Sequence, residues 1–485
     1  MVLVLPELTE ILVQPGIYIG KFSCTVYSRS CAFYSSTKIQ KITPIIKPDN
    51  YFPMFQSLNQ YFDLDGNGTT VGREVTAGLT TFLAMAYITV VNPLILTDAG
   101  MDFGGVFVAT CCAAALGSLV MGLVANYPVG LAPGMGQNAF FTYAVVIGSG
   151  HPWQTALGAV FISGVLFILL SILPVRAWLI NSIPRNLKLG MATGIGFFLA
   201  FIALKNAGIV EANTATLVGL GEVISFPALM AFGGFFAITA LASIGFRGAV
   251  ILGVLCVSGV GWLTGQADFL GIVSQPPTAT PVFMQLDIAA ALDLSMISVI
   301  LTLLLVDVFD TAGTLVGVAT RGNLVDESGR LPRLGKALLA DSSATAAGAL
   351  FGTSSTTSYI ESAAGVESGG RTGLSAVVVG IAFLLCLVFA PLAQSVPSYA
   401  AAAALLFVSA SLAQSIVDID WTDLTESTPA IMTALMMPLS FSIADGIGVG
   451  FISFVAIKTF SGRVSEVPAA VHVIAAVFLL KFLFL

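Results

Sequence analysis

The chain carries few charged residues. Aspartate, glutamate, lysine and arginine make up 9% of its 485 residues, there are only two histidines, and 56% of the residues are hydrophobic. A soluble domain needs far more charge on its surface, so this composition excludes an ordinary soluble enzyme or binding module. The net charge of −7 and the lack of a basic stripe exclude nucleic acid as an expected partner. The composition indicates an all-α polytopic membrane protein.

The scarce cysteines and histidines have no spacing typical of a chemical site. Four of the six cysteines lie inside apolar runs, and His151 and His472 lie near the ends of such runs. A disulfide framework and a zinc site are therefore not expected. The segment 329–336 has five residues between its glycines and is followed by Ala337, so it does not match a phosphate-binding loop. We predict no metal, no cofactor and no ATP-driven pumping.

Residues 1–53 differ from the rest of the chain. They contain five basic residues and no apolar run of membrane length, a composition that also occurs in transit leaders. Glu7 and Glu10 count against a leader. We interpret the segment as an extension upstream of a start at Met54, and its status stays open.

Apolar runs follow one another closely from Glu74 onward. We predict fourteen spans, of which the third and the tenth are broken by polar residues, glycine or proline. An extra apolar segment at 468–485 leaves the choice between fourteen and fifteen spans open. The predicted spans are 75–96, 104–124, 127–150, 154–173, 187–205, 226–243, 248–265, 294–318, 334–351, 353–367, 372–392, 397–416, 427–442 and 445–460.

The basic residues predict the orientation. With the N-terminus inside the cell, only Lys205 lies at an outer span end, as the positive-inside rule requires. Omitting either broken segment from the count would invert every later loop and destroy this distribution. We therefore predict a plasma-membrane protein with a cytoplasmic N-terminus. The inner residues are Arg73, Arg176, Arg185, Lys188, Arg247, Arg321, Arg330, Arg333, Lys336, Arg371, Lys458 and Arg463.

The most polar stretch at membrane depth is 352–366. Six Ser and Thr hydroxyls precede Glu361 there, between apolar runs at 337–351 and 372–392. Irregular backbone inside a bilayer is tolerated only where it packs against protein or lines a cavity, and a buried carboxylate is costly. We interpret the stretch as a functional site. A kinked helix with a hydrated glutamate is the plain alternative.

A spacing of 54 residues relates Ala84 to Asn138 and Asp307 to Glu361. Asn138 follows a Pro/Gly-broken stretch in the third span, as Glu361 lies in the broken tenth span. Seven crossings per unit is an odd number, so the second copy must be inverted. Paired broken segments in inverted halves indicate a transporter site near the midplane. Chance self-similarity of an apolar chain is the alternative.

The repeat defines the predicted domains. They are an N-terminal extension at 1–53, a cytoplasmic lead-in at 54–74, a first transmembrane repeat at 75–290, and a second repeat with an extra apolar segment at 291–485.

Two acids of the eighth span, Asp307 and Asp310, are three residues apart and so share a helix face. A membrane helix with two acids on one face must turn that face inward. In such a site the half-helix N-termini present free N–H groups and positive dipole ends. We expect Asn138 to begin one half-helix, and Thr357 to Glu361 to begin the other.

Six stretches of the chain resemble the AzgA-like purine permeases, the hypoxanthine/guanine/adenine branch of the nucleobase transporter (xanthine/uracil permease) superfamily. The resemblance implies two inverted seven-span repeats, a core domain of spans 1–4 and 8–11 that moves against a gate domain of spans 5–7 and 12–14, and proton-coupled uptake of purines. It leaves a homodimer open. The matching stretches are 77–87, 91–93, 131–141, 306–311, 338–342 and 352–374, within a similarity that covers roughly residues 55–485.

The resemblance also implies site roles. Substrate contacts are expected at Asn138, Asp307 and Glu361, with Asp310 beside them. From the residues themselves we add Thr357 as a substrate contact and assign proton coupling to Asp310 and Asp307. The chemistry agrees, because guanine and hypoxanthine offer adjacent N–H donors and a carboxylate can accept two of them. Asn138 can donate to a carbonyl, and a second buried acid can hold a proton.

Three other functions compete with this interpretation. An anion or sulfate-type exchanger of the same fold would need basic residues near the broken helices, and here the site is acidic. A uracil- or xanthine-selective permease differs only in the base transported. A membrane-embedded enzyme would need a nucleophile with a base or a metal cluster, which two peripheral histidines do not supply.

A chain that begins at Met54 should insert and transport as the full chain does, since residues 1–53 contribute neither a span nor a part of the repeat. The measurement is purine uptake per molecule of protein in the membrane. Lower uptake at equal abundance would show that residues 1–53 are needed.

Overall fold

The computed structural model describes residues 53–173, 182–325 and 331–484. The predicted extension, apart from its last residue, lies outside the described residues, as do Arg176 and Arg330. The elements are α1 Pro53–Phe62, α2 Val71–Met85, α3 Ile88–Asp98, α4 Phe103–Val120, β1 Leu131–Pro133, α5 Met135–Ala139, α6 Trp153–Ile172, α7 Arg185–Asn206, β2 Val210–Asn213, β3 Leu217–Leu220, α8 Phe226–Ser243, α9 Ala249–Leu263, α10 Ile288–Ala291, α11 Ile297–Arg321, α12 Leu334–Phe351, β4 Thr356–Ser358, α13 Ser362–Glu367, α14 Gly373–Cys386, α15 Ala390–Gln394, α16 Ser398–Ala413, α17 Leu424–Ser440, α18 Ile443–Phe460 and α19 Ala469–Phe484. Wider helical turns continue α4 over Met121–Ala125 and α5 over Phe140–Gly148.

Apolar sequence becomes helix here because a bilayer offers no water to the backbone, so each N–H must find a partner within its own segment. Side chains cap several helix starts, such as Thr70 on α2 and Asp102 on α4. At the C-terminal end of α12, Gly352 adopts a φ of +98°, a conformation that glycine enters without strain. The chain can therefore leave the helix abruptly and run into β4.

The predicted fold class is confirmed. Among the described residues, nine helical segments are long and apolar enough to cross a membrane, and α9 and α19 are shorter apolar helices. The broken third and tenth spans are each a short strand followed by a short helix. The all-α expectation missed four short strands, because three or four residues in a Ser/Thr- or Gly-containing stretch give no alternating pattern.

The helices pack in two groups, which correspond to the core and gate of the predicted fold. The core group comprises α2–α6 and α11–α14, and the gate group comprises α7–α9 and α16–α18. Within the gate group α7 packs on α16 and α17, while α16 packs on α8 and α9. The groups meet where α5 contacts α7, where α11 contacts α18 and where α2 contacts α9.

Strands β1 and β4 join the two broken spans. They are antiparallel, and Ala132 lies opposite Thr357 at the centre of the register. Further backbone bonds continue the pairing on both sides, from Gly134 N–H to the Ser355 carbonyl at 2.9 Å and from Tyr359 N–H to the Gly130 carbonyl at 3.0 Å. Two strands at corresponding positions of the repeats thus pair about a local two-fold relation, as inverted repeats require.

The buried carboxylate of Glu74 in α2 caps the start of α14. Glu74 is 0% exposed, and its oxygens accept the N–H groups of Arg371 at 2.8 Å, Thr372 at 3.3 Å and Ser375 at 3.3 Å, with the Ser375 hydroxyl at 2.6 Å. A negative charge at a helix N-terminus satisfies donors that lack intrahelical partners. The cap fastens the first span to the eleventh.

An ionic cluster closes one end of the gate group. Lys458 of α18 is 1% exposed and pairs with Glu426 and Glu466, each at 2.9 Å. Hydrogen bonds from Arg463 and Lys458 lower the pKa of Glu466, in the loop after α18, to about 2. The start of α17 is thereby tied to the end of α18.

The extra apolar segment forms α19, which packs on α18. Lys481 near the end of α19 pairs with Asp445 in the first turn of α18 at 2.7 Å. The two helices therefore run antiparallel over most of their length.

Candidate substrate site at the broken spans

The crossing of β1 and β4 determines where the predicted site residues lie. Asn138 belongs to α5, directly after β1, and Glu361 immediately precedes α13. Thr357 lies within β4 rather than at a helix start, because its backbone pairs with Ala132. The expectation that Thr357 begins a half-helix was therefore wrong, although the residue does lie on the broken span.

Glu361 is half-buried, and a hydrogen bond fixes the orientation of its carboxylate. The Tyr87 hydroxyl donates to Oε1 of Glu361 at 2.8 Å, and Tyr87 itself is only 1% exposed. Tyr87 lies at the junction between α2 and α3, so the bend in the first span aims the phenol at the tenth span. The result is a carboxylate with a fixed direction that can accept N–H donors.

Asp310 is exposed although it lies in the middle of α11. Its carboxylate lies close to Glu361 and to the Thr357 side chain. An acid in a membrane helix that is exposed and faces other acids must line an opening. The exposed face continues toward the Arg321 end of the helix, since the other exposed positions of that half of α11 are Gly313, Val316, Thr320 and Arg321.

Asp307 is fully buried one turn before Asp310. Its Oδ2 accepts the Thr345 hydroxyl at 2.8 Å, and the same hydroxyl lies 2.8 Å from the Thr356 carbonyl. A threonine has one hydroxyl hydrogen, so both bonds can be complete only when Asp307 carries a proton and donates it to Thr345. Gln137 lies next to Asp307, and in the described part of the chain its amide nitrogen and oxygen have no hydrogen-bond partner.

Asn138 is also fully buried, and its Oδ1 accepts the Ser354 hydroxyl from the other broken span. Its Nδ2 has no hydrogen-bond partner among the described residues. The geometry thus brings Asp310, Thr357 and Glu361 together at the opening, with Asp307 behind them. Asn138 contacts the chain just before β4.

Comparison with known proteins identifies the family. Residues 72–481 match the model of the Permease family Xan_ur_permease, the xanthine/uracil permeases. The chain belongs to the xanthine/uracil permease family. Adenine permease AdeP of Escherichia coli (strain K12) is 47% identical to this permease over 428 residues, which are 88% of this chain and 96% of AdeP. Guanine/hypoxanthine permease PbuO of Bacillus subtilis (strain 168) is 42% identical over 428 residues, 87% of this chain and 99% of PbuO.

Solved structures share the fold of this permease. The transmembrane domain of the cyanobacterial bicarbonate transporter BicA gives a TM-score of 0.57 at 15% identity and covers 79% of this chain and 97% of its own. SLC26A9 gives a TM-score of 0.62 at 9% identity and covers 84% of this chain and 69% of its own. At such low identity these likenesses concern the fold alone. Permeases are transporters, so the permease is a multi-pass membrane transporter and not an enzyme.

Hydrogen bonds connect the core group to α7 on the other side of the candidate site. Beyond the buried half of α11, Tyr143 donates to Asp98 at 2.6 Å and accepts from Asn206 at 3.2 Å, which links the core group to α7. Lys205 lies over the ring of Phe441 at 5.3 Å in the same region. A cavity of about 250 Å³ remains there between α3, α7 and α16.

Several residues of the permease site were not predicted. Tyr87, Thr311 and Asp341 all lie in this network, and Asp341 is fully buried. The sequence did contain a signal for Asp341, because an acid inside an apolar span invites the same argument as Asp307. It contained none for Tyr87 or Thr311, since a lone hydroxyl in an apolar helix is usually satisfied by its own backbone.

Proposed function

We propose that the permease imports purine nucleobases by proton symport across the plasma membrane, with its N-terminus in the cytoplasm. Glu361 anchors the base, Thr357 and Asp307 complete the contact, and Asn138 supports it from α5. Asp310 and Asp307 hold the coupling proton. The observation that carries the proposal is the fixed Glu361 carboxylate beside the exposed Asp310, at the crossing of the two broken spans.

The substrate class follows from chemistry together with the relatives. The names of similar proteins give adenine permease and guanine/hypoxanthine permease. Adjacent N–H groups of a purine match a carboxylate that can accept two of them in charge-assisted bonds. Tyr87 already donates to Oε1 of Glu361 and so directs the carboxylate toward the opening. Uracil or xanthine remains the competing substrate for the same site.

Proton coupling is supported by the excess of acids over bases. Asp307, Asp310 and Glu361 lie close together, and within the described segments none of them takes part in an ion pair. Negative charges that lie close together without a cation, one of them fully buried, are costly, so such a cluster takes up protons. The two contacts of the Thr345 hydroxyl point the same way, because both are full hydrogen bonds only when Asp307 carries a proton.

Transport then requires the site to open alternately to the two sides. The core and gate groups meet along few contacts, and the open end of α11 lies on the predicted cytoplasmic side. We infer an elevator-like movement of the core group, which carries the site past the gate group. Breaking the contact between Tyr143 of the core group and Asn206 of the gate group would open the outer end.

The competing function, anion exchange, is suggested by the fold that this permease shares with BicA and SLC26A9. An anion site needs donors or bases, whereas four acidic side chains, Asp307, Asp310, Asp341 and Glu361, surround this one. The deciding experiment is uptake of radiolabelled hypoxanthine in competition with purines, uracil, xanthine, sulfate and bicarbonate. Competition by sulfate or bicarbonate, without competition by purines, would reject the proposal.

Collapse of the proton gradient should abolish concentrative purine uptake, since the site contains several acids and the sequence no nucleotide motif. The measurement is initial uptake in energised cells with and without a protonophore, at fixed external sodium. Uptake that persists after full collapse and follows sodium instead would contradict proton symport.

A further inference from the structure

The side-chain amide of Gln137 has no hydrogen-bond partner in the described part of the chain, although the residue is only 2% exposed. Within 53–173, 182–325 and 331–484, Gln137 is the one residue in which two buried side-chain atoms, Nε2 and Oε1, both lack a partner. A buried amide without partners costs free energy, because water no longer satisfies it. The group is therefore suited to a partner that is not part of the polypeptide.

Gln137 lies at the proposed base site. It belongs to α5, which contacts α11, the helix of Asp307 and Asp310. A Cβ atom on Gly134 would lie 3.1 Å from Oε1 of Gln137 and 2.8 Å from the Cγ2 methyl of Thr357, so these two side chains are neighbours. Gln137 thus lies beside a side chain that the proposed function assigns to the base.

The amide supplies what the acids of the site lack. Ionised carboxylates can only accept hydrogen bonds, and the Tyr87 hydroxyl already donates to Glu361. A purine carries ring nitrogens with lone pairs as well as N–H groups, so it also needs donors. Among the buried atoms of the described segments that lack partners, the amide nitrogens are those of Gln137 and Asn138. The oxygen of Asn138 accepts the Ser354 hydroxyl, whereas both ends of the Gln137 amide are left for a ligand.

We propose that Gln137 is a further specificity-determining contact of the permease, and that its amide pairs with an edge of the base where a donor and an acceptor lie side by side. A glutamine amide matches the amine and the adjacent ring nitrogen of adenine in this way, with two hydrogen bonds. No hydrogen bond to a described residue fixes the direction of the amide, so a half-turn exchanges its donor and its acceptor. The turned amide matches the carbonyl and the adjacent N–H of hypoxanthine. The inference rests on the proposed purine transport.

The test measures equilibrium binding to the purified, full-length permease. The ligands are radiolabelled adenine and hypoxanthine, with the deazaadenines that have C–H in place of N1, N3 or N7 as competitors. Gln137→Met keeps the length of the side chain and removes the amide. Ser163→Ala is the matched control, because it removes a buried oxygen that lacks a partner among the described residues, on a helix, α6, outside the proposed contact. The melting temperature without base is recorded for each variant.

We expect Gln137→Met to bind adenine and hypoxanthine about five- to thirtyfold more weakly than the wild type, because the edge of the base that faces it loses two partners. One deazaadenine should bind the wild type more weakly than adenine does, and this difference should vanish in Gln137→Met. Without base, Gln137→Met should melt no lower than the wild type, since it removes a buried amide that lacks partners. Ser163→Ala should bind both bases as the wild type does.

Unchanged affinity of Gln137→Met for both bases would overturn the inference and would leave the amide to ordered water. A lower melting temperature with normal affinity would also overturn it, because that result assigns Gln137 a structural role. So would weaker binding in which every deazaadenine keeps its wild-type difference from adenine. Failure of the proposed function is a separate result, since the wild-type permease would then bind neither adenine nor hypoxanthine.

Discussion

Replacement of Glu361 by glutamine should weaken purine binding by roughly thirty- to a thousandfold, or about 2–4 kcal/mol. The Tyr87 hydroxyl donates to Oε1, so the glutamine amide oxygen will take that bond, and the NH₂ group will face the opening. There it opposes the N–H donors of the base. One charge-assisted bond is lost, and in the complex the glutamine NH₂ group that faces the base is left without an acceptor.

The measurement is equilibrium binding of hypoxanthine and of adenine to purified, monodisperse protein. Glu361→Asp is the matched control, because it keeps the charge and withdraws it by one methylene, so its effect should be smaller and should differ between purines. Tyr87→Phe removes only the directing hydroxyl and should lie between Glu361→Asp and the wild type. Unchanged affinity in Glu361→Gln would reject the anchor role, and a lower folded amount with normal affinity would make Glu361 structural.

Replacement of Glu74 by alanine should destabilise the permease by about 3 kcal/mol or more. Three backbone N–H groups and the Ser375 hydroxyl lose their common acceptor, and Glu74 is fully buried, so water cannot replace it without entering the packed contact between α2 and α14. The change is measured as the melting temperature of detergent-purified protein. Glu74→Gln keeps one acceptor oxygen and should be less severe.

Glu367→Ala is the control for Glu74→Ala. Glu367 pairs with Arg321 at 3.4 Å, and both side chains are about 60% exposed. An exposed pair of this kind contributes at most about 1 kcal/mol, so this variant should melt close to the wild type. A melting temperature of Glu74→Ala equal to that of Glu367→Ala would show that the cap does not hold the two spans together.

The spans and the pairing of the two broken segments could be predicted because the bilayer makes their signals strong. Apolar runs must be helices, and an interrupted run such as 352–366 must be sheltered. The equal spacing of 54 residues, from Ala84 to Asn138 and from Asp307 to Glu361, was then enough to pair the broken segments. The relation between Asp307 and Asp310 was predicted less well. Three residues along a helix leave an offset of about 60°, and this offset separates a fully buried acid from one at the opening.

What could not be predicted depends on contacts between distant parts of the chain. Ala132 and Thr357 pair across more than two hundred residues, and neither strand has a periodic pattern. The Tyr87 contact to Glu361 depends on a bend in the first span, and the Thr311 contact to Asp341 depends on how α11 leans against α12. Such contacts are decided by packing, which single residues do not indicate.

The pairing of β1 with β4 limits how the permease can move. Drawing the two broken spans apart would strip backbone groups of their partners in apolar surroundings, at several kcal/mol for each group. The two halves of the site therefore cannot separate from each other, and in the proposed elevator-like movement they travel as one piece. Any sliding then takes place at the seam where α5 meets α7, and there a side chain at Gly136 would come within 2.6 Å of Ile195. Small side chains where α5 contacts α7 are therefore a requirement on the sequence that is separate from affinity for the substrate. The residues that meet this requirement need not contact the transported molecule.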